Sequence, residues 1–256
     1  MAGAMLVSCG SNKEKPFDFE AEKAAYNEWM EAFMAEYNKP DANRDSLEVV
    51  YNEYNTELAN KHVGDSLGLL LTQEVAPELN RQELDSAMNL CELYKNDAYL
   101  QRISKSLDAK EATSAGNSYV DVEGVNATTG EELKLSDIIA KGKPVVVDFW
   151  ASWCGPCRRE IRESLSVYAP KYAGKVNFVG IAVWEKTVED TQKAMSELPI
   201  TWPIIFAGSR EDSPTEKYGI MGIPQIMLIG ADGIIKARDL RGEAIEAAIE
   251  AELSAK

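Results

Sequence analysis

Histidine is almost missing from this chain: His62 is the only one in 256 residues. A mechanism that pairs histidine with a serine or cysteine nucleophile therefore has a single candidate, and it lies far in sequence from the motifs described below. Basic residues are also scarce. Lys and Arg number 27 against 42 Asp and Glu, a formal charge of −15. Phosphate binding needs a basic face, so no nucleic-acid partner is expected. Four cysteines are too few for a disulfide scaffold. No apolar run approaches the roughly 18 residues of a spanning helix. With 45% hydrophobic and 27% charged residues, the composition is globular, and the length suits two domains.

The four cysteines divide by context. Cys154 and Cys157 stand three apart, whereas Cys9 and Cys91 stand alone. Leu6-Val7-Ser8-Cys9 resembles a bacterial lipobox, a short apolar stretch and small residues before a thiol that is lipidated after cleavage. No Lys or Arg precedes it, so a signal remnant and a chance run both remain open. Residues 1–16 are expected to be signal remnant and tether, with Cys9 the lipidation site. A lipid anchor would place the body on the periplasmic side of a bacterial membrane, where disulfides are permitted.

Residues 17–111 have few breakers and a helical period. Tyr26, Trp29, Phe33 and Tyr37 recur at three-to-four spacing, as do Leu47, Tyr51, Tyr54 and Leu58. This predicts an all-α domain of four or five antiparallel helices, with the aromatic stripe in its core. Cys91 falls on the apolar stripe and reads as a small buried hydrophobe; His62 reads as a surface or capping residue. Residues 17–115 hold 20 acids and 9 bases, an excess that reads as a solvated face or a docking face for a basic partner. The small polar stretch 112–118 is expected to be a linker, leaving 119–256 as a second domain.

That second domain alternates strand and helix signals. Tyr119–Val122 and Glu132–Leu135 read as a hairpin, and Val145–Trp150 as a buried strand with one acid, Asp148, inside it. Ala151-Ser152-Trp153-Cys154-Gly155-Pro156-Cys157 follows at once. Val176–Val183 reads as a strand, Val188–Leu198 as a helix and Trp202–Phe206 as a strand. Gln225–Ile229 and Ile234–Ala237 read as a hairpin, and Glu243–Leu253 as a closing helix. Cys154 then sits where a strand gives way to a helix, and helix N-terminal N–H groups favour a thiolate. Cys154 is expected to be the more exposed nucleophile and Cys157 the resolving thiol one turn deeper. Burial on an apolar strand should raise the pKa of Asp148, which suits a base working near neutrality.

Val147 through Cys157 closely resembles the active-site segment of thioredoxin. Gly222-Ile223-Pro224, followed by Gln225–Ile229 and Ala231-Asp232-Gly233, is similar to that fold's cis-proline loop and hairpin. The added N-terminal hairpin and the strand–helix insert near 176–200 resemble the TlpA/ResA-type branch. A helical half followed by such a domain resembles the thioredoxin-like lipoproteins of the Bacteroidetes. The likeness covers residues 116–256; over 17–115 it is one of layout only.

The resemblance implies an α/β thioredoxin fold, a mixed sheet with helices on both faces, preceded by the all-α domain. It implies a thiol–disulfide oxidoreductase that reduces disulfides of extracytoplasmic proteins through Cys154 and Cys157 and is recharged by a membrane thiol donor. Asp148 matches the buried acid of thioredoxin, and Glu160 the acid of the ResA-type motif. Many relatives carry a neutral residue where Asp148 stands, and a proline where this chain has Arg162. Asp148 is expected to be the base, with Glu160 in a tuning role or paired with a neighbouring arginine. Trp153, Gly155, Pro156, Ile223 and Pro224 are expected to bind substrate, the bond before Pro224 being cis. Trp153 and Trp184 either rim the site or pack.

Other classes fit less well. A peroxiredoxin-type peroxidase wants threonine three residues before its cysteine, and position 151 is Ala. A zinc site lacks a second ligand pair, so neither metal nor cofactor is expected. A protein-binding or scaffolding module with a structural disulfide stays as the alternative.

Overall fold

The computed structural model describes residues 17–140, 142–208 and 213–255. The reading of Cys9 as a lipidation site lies outside the described residues. The chain divides into two compact units, residues 1–100 and 101–256. No helix among the described residues is long and apolar enough to cross a membrane.

The first unit is helical. Asp18 caps α1 (Phe19–Tyr37) by accepting from Ala21 N, and Asn43 caps α2 (Arg44–Lys61) in the same way. Asp65 starts α3 (Ser66–Val75) by accepting from Leu67 N and Gly68 N. A 3₁₀ turn at Ala76–Glu78 takes Pro77 in its first turn. Then come α4 (Arg81–Met88), closed by an Asn80/Glu83 capping box, and the single turn α5 (Glu92–Lys95). Helix α6 (Ala98–Ala112) runs on into the second unit.

Three expectations are corrected here. The aromatic stripe is not a buried core: Tyr26 is buried, but Trp29, Phe33, Tyr37, Tyr51 and Tyr54 are only half-buried. They pack ring on ring instead, with Trp29 stacked on Tyr54 at 3.9 Å and on Phe33 at 5.4 Å. His62 does occupy the C-cap of α2, but it is buried, not on the surface; its Nδ1 lies 2.8 Å from Asp65 Oδ2 and Phe17 tilts against its ring. Cys91 is half-buried at the N-cap of α5, because the chain leaves the helical period just before it.

The second unit is built on a seven-stranded sheet. The strands are β1 (Glu123–Asn126), β2 (Glu132–Lys134), β3 (Val145–Trp150), β4 (Asn177–Val183), β5 (Ile204–Gly208), β6 (Gln225–Ile229) and β7 (Ile235–Ala237), in the order β2-β1-β5-β4-β3-β6-β7. Strands β3, β4 and β5 run parallel and the outer pairs antiparallel. The expected N-terminal hairpin is present, but its first strand begins at Glu123, because Asp121 turns aside to accept from Ser136 N and Oγ. Leu135, expected in a strand, opens the short helix α7 (Leu135–Ile139).

Beyond β3 the chain forms one helical run, residues 155–171: α8 (Gly155–Glu160), a π-helical turn at Ile161–Leu165 and α9 (Ser166–Lys171). Helices α10 (Val188–Glu197), α11 (Pro214–Lys217) and α12 (Glu243–Ser254) complete the unit. Apolar side chains fill both faces of β3, the pattern of a strand covered on both sides. Val146, Trp150, Cys157, Ile161, Ile226 and Ile245 share one core; Val147, Phe149, Tyr218 and Met227 lie in the other.

The stretch 112–118 is tied down. Thr113 is fully buried, Gly116 N donates to Ile235 O at 2.8 Å, and Ser118 bridges Ile234. Arg238 donates to the carbonyls of Lys110, Thr113 and Tyr218, closing the end of α6.

Candidate active site

The site forms at the carboxyl ends of the parallel strands β3 and β4, where an α/β sheet leaves a crevice. Strand β3 ends at Trp150, a three-residue turn follows in which only Trp153 is exposed, and Cys154 becomes the N-cap of α8. Pro156 fits the first turn, where no N–H is required. Cys154 and Cys157 are bonded as a disulfide, their Cα atoms 5.3 Å apart. Cys154 Sγ accepts from Cys157 N at 3.1 Å, so a sulfur charge there meets a helix N-terminal donor.

Cys154 is 4% exposed and Cys157 fully enclosed. The order agrees with the sequence, although Cys154 is far less open than expected. Exposure is concentrated in Trp153, 62% exposed, whose indole Nε1 donates to Trp184 O at 3.2 Å. Trp153 therefore rims the site, while Trp184 is half-buried and packs against the second core.

The bond Ile223–Pro224 is cis, and the Ile223 carbonyl oxygen lies 3.8 Å from Cys154 Sγ. The structure thus brings together residues 69 positions apart. Met221 and Gly222 beside them are exposed, as are Gly155 and Pro156. A Cβ placed on Gly155 or Gly222 would meet nothing within 4 Å. A side chain at either position would therefore stand in open space beside the disulfide.

Asp148 sits on β3 between Val146 and Trp150, so it faces the same layer as Cys157. It is 2% exposed, and burial pushes its carboxyl up to about 8, with Glu160 adding to the rise and Arg241 opposing it. Glu160 is half-buried, and its Oε1 accepts from Gly242 N at 2.6 Å. That backbone bond stands where pairing with a neighbouring arginine was the alternative.

Some residues of the site escape a reading of the sequence. Buried Glu185 accepts from both the backbone N–H and the hydroxyl of Ser152, the hydroxyl at 2.9 Å. Arg158 donates to Ser152 O at 3.1 Å and to Glu197 Oε2 at 2.6 Å. The turn that carries Cys154 is thereby held from both sides. Glu185 carries a positional signal, as the first acid beyond the apolar strand β4. Arg158 carries none beyond adjacency to Cys157. No cluster of His, Cys, Asp and Glu among the described residues could hold a metal ion.

A cysteine pair bonded at a helix N-terminus, an enclosed acid on the adjoining strand and a backbone carbonyl 3.8 Å from the outer sulfur suit the exchange of one disulfide for another. Known proteins agree. Residues 114–253 match the redoxin family. The chain is 28% identical over 127 residues to the thiol-disulfide oxidoreductase ResA of Geobacillus thermodenitrificans, across 50% of this chain and 70% of that protein. It is 32% identical over 144 residues to a chloroplast M-type thioredoxin of Pisum sativum, across 56% of this chain and 73% of that protein. Among solved structures, the C-terminal domain of a protein assigned as a thiol-disulfide oxidoreductase in Bacteroides thetaiotaomicron superposes with a TM-score of 0.50. The two are 25% identical, over 56% of this chain and 99% of that domain. A thioredoxin-like sheet with Cys154 and Cys157 at its switch point, within a matched span of more than half the chain, places this protein in the redoxin family, on its TlpA/ResA-type branch, as an enzyme of thiol–disulfide exchange.

Proposed function

We propose that this enzyme reduces disulfides in extracytoplasmic proteins. In its dithiol form the Cys154 thiolate attacks one sulfur of a partner disulfide. A Cys154–partner bond forms, and the partner's other sulfur leaves as a thiolate that takes up a proton. Cys157 gives its proton to the Asp148 carboxylate and attacks Cys154 Sγ. The Cys154–Cys157 bond closes, and the second partner sulfur departs. Two electrons pass from enzyme to partner, and a dithiol donor in the membrane restores the enzyme.

The observation that carries this reading is the 3.8 Å approach of the Ile223 carbonyl to Cys154 Sγ, beside an open floor at Gly155 and Gly222. An extended partner segment laid there can pair with the loop backbone while its disulfide meets Cys154. Trp153, Pro156 and Pro224 supply apolar contact. Glu160 tunes the site through the segment that follows β7. In this reading the acidic helical domain, 17–111, and the exchange domain, 119–256, are joined at 112–118. A lipid on Cys9 holds both on the periplasmic face of the membrane, an inference supported by Leu6-Val7-Ser8-Cys9.

Two measurements test it. Reduced Cys157→Ser protein mixed with oxidised insulin should accumulate a mixed disulfide at Cys154, and Cys154→Ser protein should form none. The Cys154–Cys157 couple should have a potential near −270 mV; a value near about −120 mV would reverse the electron flow and end the reductase reading.

A further inference from the structure

Helix α8 shows one face to solvent. Gly155, Pro156 and Arg159 are exposed, whereas Cys157 and Ile161 are buried behind them. Residues three and four apart are neighbours on a helix surface, so the Arg159 side chain stands one turn from both Gly155 and Pro156. A Cβ on Gly155 would meet nothing within 4 Å. The guanidinium of Arg159 therefore borders the open ledge beside the disulfide.

Charge around the disulfide is lopsided. The acids there are spent within the protein. Glu160 accepts from Gly242 N at 2.6 Å, Glu185 accepts from Ser152, and Glu197 accepts from Arg158 Nη2 at 2.6 Å. The Glu197 carboxyl lies below the usual glutamate range, because Arg158 donates to it and Lys193 and Arg162 add positive charge. The Arg159 side chain, by contrast, makes no hydrogen bond or ion pair with any described residue. Glu163, one turn further along, is exposed too, and no ion pair joins it to Arg159. A chain of net charge −15 thus keeps an unpaired arginine at the rim of its exchange site. The planar fork of an arginine matches a carboxylate, and repulsion from the distant acids is screened beyond about 8 Å at physiological salt.

We propose that Arg159 is a specificity residue that receives a carboxylate of the partner, so that the enzyme favours protein disulfides with Asp or Glu beside the attacked cysteine. The inference rests on the reductase reading and adds to it the class of partner.

The test uses three disulfide peptides that differ only in the residues flanking one cysteine: Glu, Gln or Lys. Each is reduced by the full chain at about 0.15 M salt, where long-range repulsion is weak. Compared with the parent, Arg159→Gln should lose about threefold in kcat/KM with the Glu peptide, keep its rate with the Gln peptide and gain with the Lys peptide. Arg159→Glu should widen both changes, and Arg159→Lys should keep most of the parent's preference. Arg159 is exposed, so the unfolding midpoints of the variants should match the parent. Equal changes with all three peptides would place Arg159 in the sulfur chemistry, and no change with any would leave it idle; either result overturns the inference and spares the reductase reading. Failure of the parent to reduce any of the three, with no mixed disulfide trapped by Cys157→Ser, overturns the reductase reading and this inference with it.

Discussion

Ser152 gives both its backbone N–H and its hydroxyl to the carboxylate of Glu185, 33 residues further along the chain. The acceptor is buried, and Ser152 lies two residues before Cys154. Glu185 therefore fixes the height at which the turn presents the outer sulfur. Glu185→Gln keeps the shape but turns one acceptor into a donor facing Ser152, which should cost about 1–3 kcal/mol of stability. Misplacing a reacting atom costs rate as well, so kcat/KM for insulin reduction should fall roughly tenfold or more. Thermal unfolding and steady-state kinetics on the same preparation read both. Parent-like values for both would remove Glu185 from the positioning of Cys154.

Asp148 should cost the fold stability at neutral and alkaline pH. An unfolded aspartate ionises near about 4, whereas burial holds the Asp148 carboxyl up to about 8. Between those values the folded state keeps a proton that the unfolded state has released, so stability falls as pH rises and levels off above the folded value. Asp148→Asn has no such proton to hold. Its advantage over the parent should be largest at pH 8 and above, and should shrink by roughly 1 kcal/mol per pH unit towards pH 5. Denaturant midpoints of the oxidised proteins at pH 5, 6, 7 and 8 measure the slope; parallel curves would contradict it.

What the sequence made legible was local. Val145–Trp150, Cys154-Gly155-Pro156-Cys157 and Ile223-Pro224 are contiguous runs whose residue types state their own roles, and the structure brings Cys154 and Ile223 together at the end of β3. Glu185 and Arg241 stayed hidden because their roles depend on strand order. Strand β4 lies beside β3 only in the folded sheet, and Arg241 reaches Pro224 across 17 residues with no periodic signal. The aromatic stripe misled in the opposite sense. A helical period reports that one face is apolar, not what covers it. Helix α3 has 10 residues against 19 in α1, and its buried cluster takes Tyr26 but leaves Phe33 and Tyr37 outside. His62 fills the capping role that its place at a helix end suggests, but the surface half of that reading fails, because Asp65 satisfies one ring nitrogen and Phe17 covers the ring.

Gly219 marks a close backbone approach. Its φ is +60°, and a Cβ there would lie 2.2 Å from Ser106 O and 2.4 Å from Lys110 N of α6. Neither contact can yield, because both are helix backbone. Gly219→Ala combines left-handed strain with a clash and should destabilise the protein by about 2–4 kcal/mol. Gly116→Ala has a comparable positive φ of 94° but nothing within 4 Å, so it should cost no more than about 1–2 kcal/mol. Similar losses in the two variants, by urea unfolding, would show that α6 does not press on this loop as described.

Gly222 offers a way to separate partner recognition from sulfur chemistry. It precedes Ile223, whose carbonyl lies 3.8 Å from Cys154 Sγ. Its φ is outside the left-handed region, and a Cβ there would enter open space. A larger side chain should therefore leave the fold intact, with a stability change within about 0.5 kcal/mol. It would, however, stand where an extended partner segment is proposed to lie. A small aromatic disulfide needs only the sulfur, whereas a protein disulfide needs the floor beside it. Gly222→Phe should therefore keep its rate with Ellman's reagent within about twofold and lose roughly tenfold or more with oxidised insulin, about 1.4 kcal/mol of lost binding. Equal rates with both substrates would mean that proteins approach Cys154 from another side, and the Ile223 carbonyl would no longer carry the proposed function.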